Sequence, residues 1–382
     1  MNRRSPAAVH FCARHSMFHY SVFFDKIAFM KQKMISVLFL AFLLVFSAGC
    51  GNEPKRGTAY SPGQTEERIT VGFAQVGSES DWRMVSTASI QKAFEDSPYT
   101  LLYSDGQQKQ ENQIKAIREF IDQDVDYILL DPCVETGWDS ALLEAKESGI
   151  PVIVFDRDVT SDQELYSAWV GSDFYLEGRR ACAWLEAFLA ETDTESPANI
   201  GGIQGTLGAS AQIGRTRALE EAVAAHGDWR LLDEQTGDFT TAKGKEVMES
   251  FLLQYGSSID VVYCENDNEA YGAIEALREH GYEVGTNYRK GEILVLSFDA
   301  THDGLELTKE KRIGVNTECS PLYGPRLVEM IDALERGEGL PKRTYIEEEQ
   351  FSSFRGIGSL RVGEDSFFVT YLTDEILEER EY

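Results

Sequence analysis

The stretch YILLDPCVETGWDSALLEAKESGIPVIVFDR, residues 127–157, decides the fold. Tyr127–Leu130 is a short apolar run that stops at Asp131-Pro132. Leu142–Glu147 has a helical character, Gly149 caps it, and Pro151–Phe155 is a second apolar run that stops at Asp156-Arg157. Strands this short and this uniformly apolar have no solvent face. They belong in a sheet covered on both sides, and strands joined through helices run parallel.

The same alternation extends in both directions. Upstream, Ile69–Ala74 and Tyr99–Tyr103 read as strands. Trp82–Phe94 and Gln110–Ile121 read as helices, the second with Ile114, Ile117, Phe120 and Ile121 on one face. Downstream the pattern restarts with strands at Trp169-Val170, Asn199–Ile203, Arg230–Leu232, Val261–Tyr263 and Ile293–Phe298. Between them lie helices at Leu176–Leu189, Arg215–His226, Lys243–Gln254 and Ala270–His280. The expected fold class is therefore α/β, with two Rossmann-like lobes built on parallel sheets.

In such sheets ligands bind just beyond the carboxyl ends of the strands. Those ends read Gln75–Glu79, Asp105–Gln107, Asp131-Pro132, Asp156-Arg157, Gln204-Gly205, Asn266-Asp267 and Asp299. Planar polar side chains of this kind grip two neighbouring hydroxyls at once, so the cleft suits a ligand rich in hydroxyl groups.

Composition narrows the function classes. The formal charge is −28, and removal of residues 1–49, with six basic and one acidic residue, takes it to about −33. A surface this acidic repels phosphate backbones, so a nucleic-acid partner is not expected. Cys133, Cys182, Cys264 and Cys319 are widely spaced without a CxxC pattern, which points to buried free thiols and no metal. An enzyme is not expected either. His226, His280 and His302 lie far apart and away from strand ends, and neither a nucleophile elbow nor a P-loop is present. Arg157 and Arg215 would hold cleft carboxylates ionised, the wrong state for a general acid. No cofactor is implied.

The N-terminal segment carries an address. Lys31 and Lys33 precede the apolar run Ile35–Phe46, and Ser47-Ala48-Gly49-Cys50 follows it. This resembles a bacterial lipoprotein signal, in which Cys50 is lipidated, although Ser47 stands where that family usually has Leu. An ordinary signal peptide or a membrane anchor is the alternative. Residues 1–29 fit no targeting pattern and Met30 or Met34 would make a compact start, so 1–49 are set aside. Residues 50–67, rich in Gly, Pro and Ser, read as a flexible tether.

The chain also resembles a known family. The matching stretches are Val71–Ser80 (VGFAQVGSES) with Trp82-Arg83, Asp105–Gln113 (DGQQKQENQ), Thr136-Gly137-Trp138, and Gln204-Gly205-Thr206 with Gly208-Ala209-Ser210. Gly237-Asp238-Phe239-Thr240 and Lys243–Phe251 (KGKEVMESF) also match. Over residues 68 to 345 the sequence resembles the periplasmic sugar-binding proteins of ABC transporters, in particular their galactofuranose-binding branch, whose fold is shared with LacI-family effector domains.

The resemblance implies the type 1 periplasmic binding protein fold, with a three-stranded hinge crossed near Asp173, Thr301 and Leu340. The expected N-terminal lobe is 68–173 plus 302–340, and the C-terminal lobe 174–301 plus 341–382. It also implies ligand-binding roles for Glu79, Trp82, Arg83, Asp156, Arg157, Arg215, Phe239, Asn266, Asp299 and Glu318. The turn Ser297-Phe298-Asp299-Ala300 departs from the family by losing a glycine on each side of the aspartate. The implied function is capture of a monosaccharide, galactofuranose-like or another pentose or hexose, by hinge closure and its delivery to an ABC permease and its ATPase. The protein would act as a monomer outside the cell membrane, anchored there through Cys50. The alternative is a lipid-anchored sugar sensor signalling to a membrane kinase or chemoreceptor.

Overall fold

The computed structural model describes residues 68–192, 197–288, 291–380 and 382. The signal-like segment, Cys50 and the tether fall outside the described residues.

The chain begins with β1 (Thr70–Gln75), α1 (Asp81–Glu95), β2 (Thr100–Asp105), α2 (Gln110–Asp122), β3 (Tyr127–Leu130), α3 (Asp139–Glu147), β4 (Val152–Phe155) and β5 (Ala168–Gly171). The decisive stretch is thus a β3–α3–β4 unit. Ile128–Leu130 pair in parallel with Val152–Val154, and all eight residues of the two strands are buried. One sheet face packs on α2 and α3 through Ile117, Phe120, Trp138 and Leu142. The other packs on α1 through Ile90 and Phe94.

The second half runs α4 (Phe174–Glu191), β6 (Ala198–Gln204), α5 (Ser210–Ala225), β7 (Trp229–Thr236), α6 (Thr241–Tyr255), β8 (Val261–Cys264), α7 (Asp267–Glu279), β9 (Leu294–Asp299), α8 (His302–Lys309) and β10 (Val315–Glu318). It forms a second sheet, with Trp184, Leu185 and Leu219 against one face and Met248, Phe251 and Leu277 against the other. After β10 the chain returns to the first lobe. There α9 (Gly324–Glu335) joins the layer of α1 through Leu327 and Ile331, and β11 (Arg343–Tyr345) pairs in parallel with β5.

Two expected lobe boundaries are corrected. The crossing near Asp173 holds, but residues 302–318 stay in the C-terminal lobe because Val315–Glu318 pair in parallel with Leu296–Asp299. The second crossing is therefore at Cys319–Tyr323, not near Thr301. The third follows Tyr345 rather than Leu340, because Arg343–Tyr345 form the edge strand of the first sheet.

Beyond it, β12 (Gln350–Ser352) runs antiparallel to β10. Then come a hairpin of β13 (Ser359–Val362) and β14 (Asp365–Phe368), β15 (Thr370–Tyr371) beside β12, and α10 (Asp374–Glu378). The tail ends against Glu318, to which Arg380 Nη1 and the Tyr382 hydroxyl reach at 2.8 and 2.6 Å. Cys133, Cys182, Cys264 and Cys319 are buried free thiols, as their spacing predicts.

Candidate functional site

The carboxyl ends of both sheets face a small cavity whose empty space, open solvent included, is about 290 Å³. Glu79, Trp82, Arg83, Asp156 and Arg157 line it from the first lobe, and Arg215, Phe239, Asn266 and Asp299 from the second. Nine of the ten expected residues are thus brought together.

Arg83 organises the first wall. Ser80 accepts from the Arg83 main-chain N–H at 3.1 Å and so starts α1, which aims the side chain at the strand ends. Its Nη1 donates to Asp131 and Asp156, and its Nε to Glu79 at 3.0 Å. Arg157 Nη2 reaches the same Glu79 oxygen at 3.3 Å, and Nη1 donates to the Cys133 carbonyl at 3.1 Å. Burial pushes the Glu79 carboxyl up, but the Arg83 and Arg157 guanidiniums outweigh it and hold it below its ordinary value. The buried Glu79 Oε2 has no partner among the described residues. Burial pushes the Asp131 carboxyl well up despite Arg83.

Arg215 organises the second wall. Its Nε and Nη2 both lie 2.8 Å from Glu177 Oε2, Nη1 donates to the Glu265 carbonyl, and Nη2 lies 3.6 Å from Asp299. The guanidinium sits over the rings of Phe298 and Phe174. Burial pushes Asp299 well above the usual carboxylate range, against the pull of Arg215.

Phe239 spans the gap between lobes, with the Arg157 guanidinium 5.1 Å from its ring centroid. A Cβ on Gly205 would lie 1.9 Å from the ring, so a bare backbone at 205 makes room for it. Asn266 has a structural task as well. Its Oδ1 accepts from Glu269 N at 2.8 Å to cap α7, and its Nδ2 donates to the Phe239 carbonyl at 3.1 Å. Asp156, Phe239 and Asp299 all hold left-handed backbone, with φ of 57°, 61° and 92°. Such strain costs about 1–3 kcal/mol per residue and gathers at functional sites.

Glu318 is not in the cavity wall. The tail holds it through Arg380 and Tyr382, and Oε2 accepts from Glu349 N at 2.6 Å, so its charge is answered at the hinge. Reading the sequence missed Ser80, Phe174, Ala211 and Cys319, which also line the cavity. Phe174 and Cys319 directly follow the first crossing and β10, and correctly placed crossings would have drawn attention to both.

The comparisons agree with this architecture. The family described as "Periplasmic binding protein domain" matches residues 71–338. The galactofuranose-binding protein of Escherichia coli (strain K12) is 40% identical over 272 residues, 70% of this chain and 81% of that protein. A crystal structure from Mycobacterium smegmatis in complex with β-D-fucofuranose is 40% identical, with a TM-score of 0.71 over 75% of this chain and 92% of that one. The binding protein of the arabinose ABC transporter from Shewanella sp. ANA-3, bound to α- and β-L-arabinofuranose, is 38% identical. Its TM-score is 0.68, over 74% of this chain and 91% of that one. By its two wound sheets, its three crossings and this match, the chain belongs to the periplasmic binding protein domain family, and it has the type 1 fold.

Proposed function

We propose that this protein binds a neutral monosaccharide in its five-membered-ring form, outside the cytoplasmic membrane, and passes it to an ABC permease. One observation carries the reading. A buried carboxylate oxygen without a partner among the described residues, Glu79 Oε2, stands in a cavity built from both lobes, beside guanidiniums already committed to carboxylates. A buried acceptor in that state calls for a donor from the ligand, and a sugar hydroxyl is one. The relatives bound to fucofuranose and arabinofuranose support the ring form.

Residues Asp156, Arg157 and Asp299 would bond hydroxyls, and Phe239 would cover one sugar face. Because the walls come from different lobes, a ligand touching both favours the closed form, and a permease that recognises that form senses loading. Cys50 would carry the lipid that keeps the protein at the membrane.

A thermal-shift screen of the purified protein against pentoses and hexoses tests this. At a hundredfold excess over Kd, binding adds about 2.7 kcal/mol to stability. A rise of several degrees with one furanose-forming sugar is expected. No shift with any sugar of the panel would remove sugar binding.

A further inference from the structure

The three crossings meet at one side chain, Glu348. It lies on the third crossing, and its Oε1 accepts from Ser172 Oγ of the first at 2.6 Å and from Ser320 N of the second at 2.9 Å. Facing it is Glu177, on the first turn of α4. The Glu177, Glu348 and Cys319 side-chain ligand atoms lie within 4.8 Å of one another. Glu177 Oε2 is taken by Arg215, and its buried Oε1 has no hydrogen-bond donor among the described residues. Two carboxyl groups therefore meet with a guanidinium on one of them only.

The other nearby guanidinium does not resolve this. Arg180 donates Nη1 to the main-chain oxygen of Glu348 at 3.0 Å, and its Nε has no partner among the described residues. A proton carried by Glu348 toward Glu177 would give the orphaned Glu177 Oε1 the donor it lacks.

We propose that Glu348 is a neutral positioning residue: its O–H holds Glu177, Glu177 holds Arg215, and Arg215 is thereby fixed at the wall of the ligand cavity. The inference rests on the sugar-binding reading only for its affinity readout. Besides Glu177, which Arg215 from α5 backs, the groups facing Glu348 are Arg180 from α4, Glu318 and Cys319 at the end of β10, and Tyr323 ahead of α9. Burial and the Glu177 charge push the Glu348 carboxyl well above its ordinary value. The neutral form, and with it the relay, is present at low pH and is lost as pH rises through that raised value.

The test compares the full chain with Glu348→Gln and Glu348→Ala. Glutamine keeps a donor toward Glu177 and an acceptor toward Ser172 and Ser320, and alanine keeps neither. Infrared difference spectra of wild type against Glu348→Gln should show loss of one carboxylic-acid C=O stretch near neutral pH. With L-arabinose as probe, Glu348→Gln should bind within about twofold of wild type, and Glu348→Ala about tenfold more weakly. Wild-type affinity should fall on the alkaline side by more than that of Glu348→Gln.

Absence of the C=O difference would overturn the proposal, as would equal losses in both variants or superimposable pH profiles. Stoichiometric zinc in the purified protein would also overturn it, since a metal would then hold Glu177, Cys319 and Glu348. If wild type fails to bind arabinose, the probe or the sugar reading fails, and the infrared band still decides the state of Glu348.

Discussion

Replacing Arg83 by Met removes the cation that Glu79, Asp131 and Asp156 share while keeping most of the side-chain volume. In the protein, Arg83 is 2% exposed and its nitrogens contact all three carboxylates at 3.0 Å or less. One such contact, at about 4 Å between charge centres, is worth about 4 kcal/mol at an effective dielectric near 20. Most of the sum is offset by desolvation, and removing one partner of a buried ion cluster typically costs about 3–5 kcal/mol. At about 2–4 °C per kcal/mol, the melting temperature at pH 7.5 should fall by roughly 6–20 °C. The pH dependence gives a second arm. In wild type the depressed Glu79 carboxyl contributes stability above its unfolded value that is lost as pH falls. In Arg83→Met the carboxyls face one another with less cation, their folded values rise, and the folded state takes up protons on acidification. The gap between the two melting curves should therefore narrow between pH 7.5 and pH 5. Calorimetric melts across that range measure it. A fall under about 3 °C at pH 7.5, or a gap that widens on acidification, would refute the argument that Arg83 stabilises this wall by neutralising it.

Other changes probe other parts of the molecule. Arg157→Ala should weaken sugar binding by at least about 1.5 kcal/mol, the scale of one charge-assisted hydrogen bond, and unchanged affinity in titration calorimetry would take Arg157 out of the site. Gly205→Ala forces the Phe239 ring aside, so affinity should fall together with a stability loss of about 1–3 kcal/mol from overpacking; retention of both would show that the ring is not fixed by Gly205. Burial raises the Glu265 carboxyl to about 8, so its neutral form stabilises at low pH and that contribution drains away as pH climbs through 8. Glu265→Gln should flatten the fall in melting temperature between about pH 5 and 8, the interval from the unfolded to the folded value, and an unaltered slope would assign that fall elsewhere. Cys50→Ser should move the protein from the membrane fraction to the soluble one, since stable attachment requires the lipid chains; a variant that stays with the membrane would point to an uncleaved helix.

The fold was legible because both sheets use short strands that are apolar throughout. Val152–Phe155 and Val261–Cys264 are fully buried, and no other element type suits runs of that length between helices. The lobe boundaries were less legible. Val315–Glu318 contains Asn316, Thr317 and Glu318, buried yet polar, so the strand carries no apolar signature and its pairing with β9 shows only in three dimensions. Most of the site was legible through strand-end residues and the family resemblance. Glu318, expected at the ligand, stands outside the cavity wall for a physical reason. Its position at the end of β10 matches a cleft residue, but Arg380 and Tyr382, far away in sequence, fold back and occupy it. Ala300 shows the reverse. Where the family turn has glycine, alanine holds φ at 54° with its methyl buried against Leu305 and Phe351, and the turn survives the substitution.

The tail clasp on Glu318 also has a use. The Tyr382 hydroxyl bonds Glu318, the last residue before the second crossing, so under the proposed hinge closure it lies near the hinge. A dye joined there would scarcely translate under the proposed closure, but it would reorient with whichever lobe carries it. Fluorescence anisotropy or orientation-dependent energy transfer would read that rotation, whereas a distance-calibrated pair would register little. Tyr382 is therefore a goniometer mount rather than a ruler, and an optical sensor built on it should be calibrated in angle.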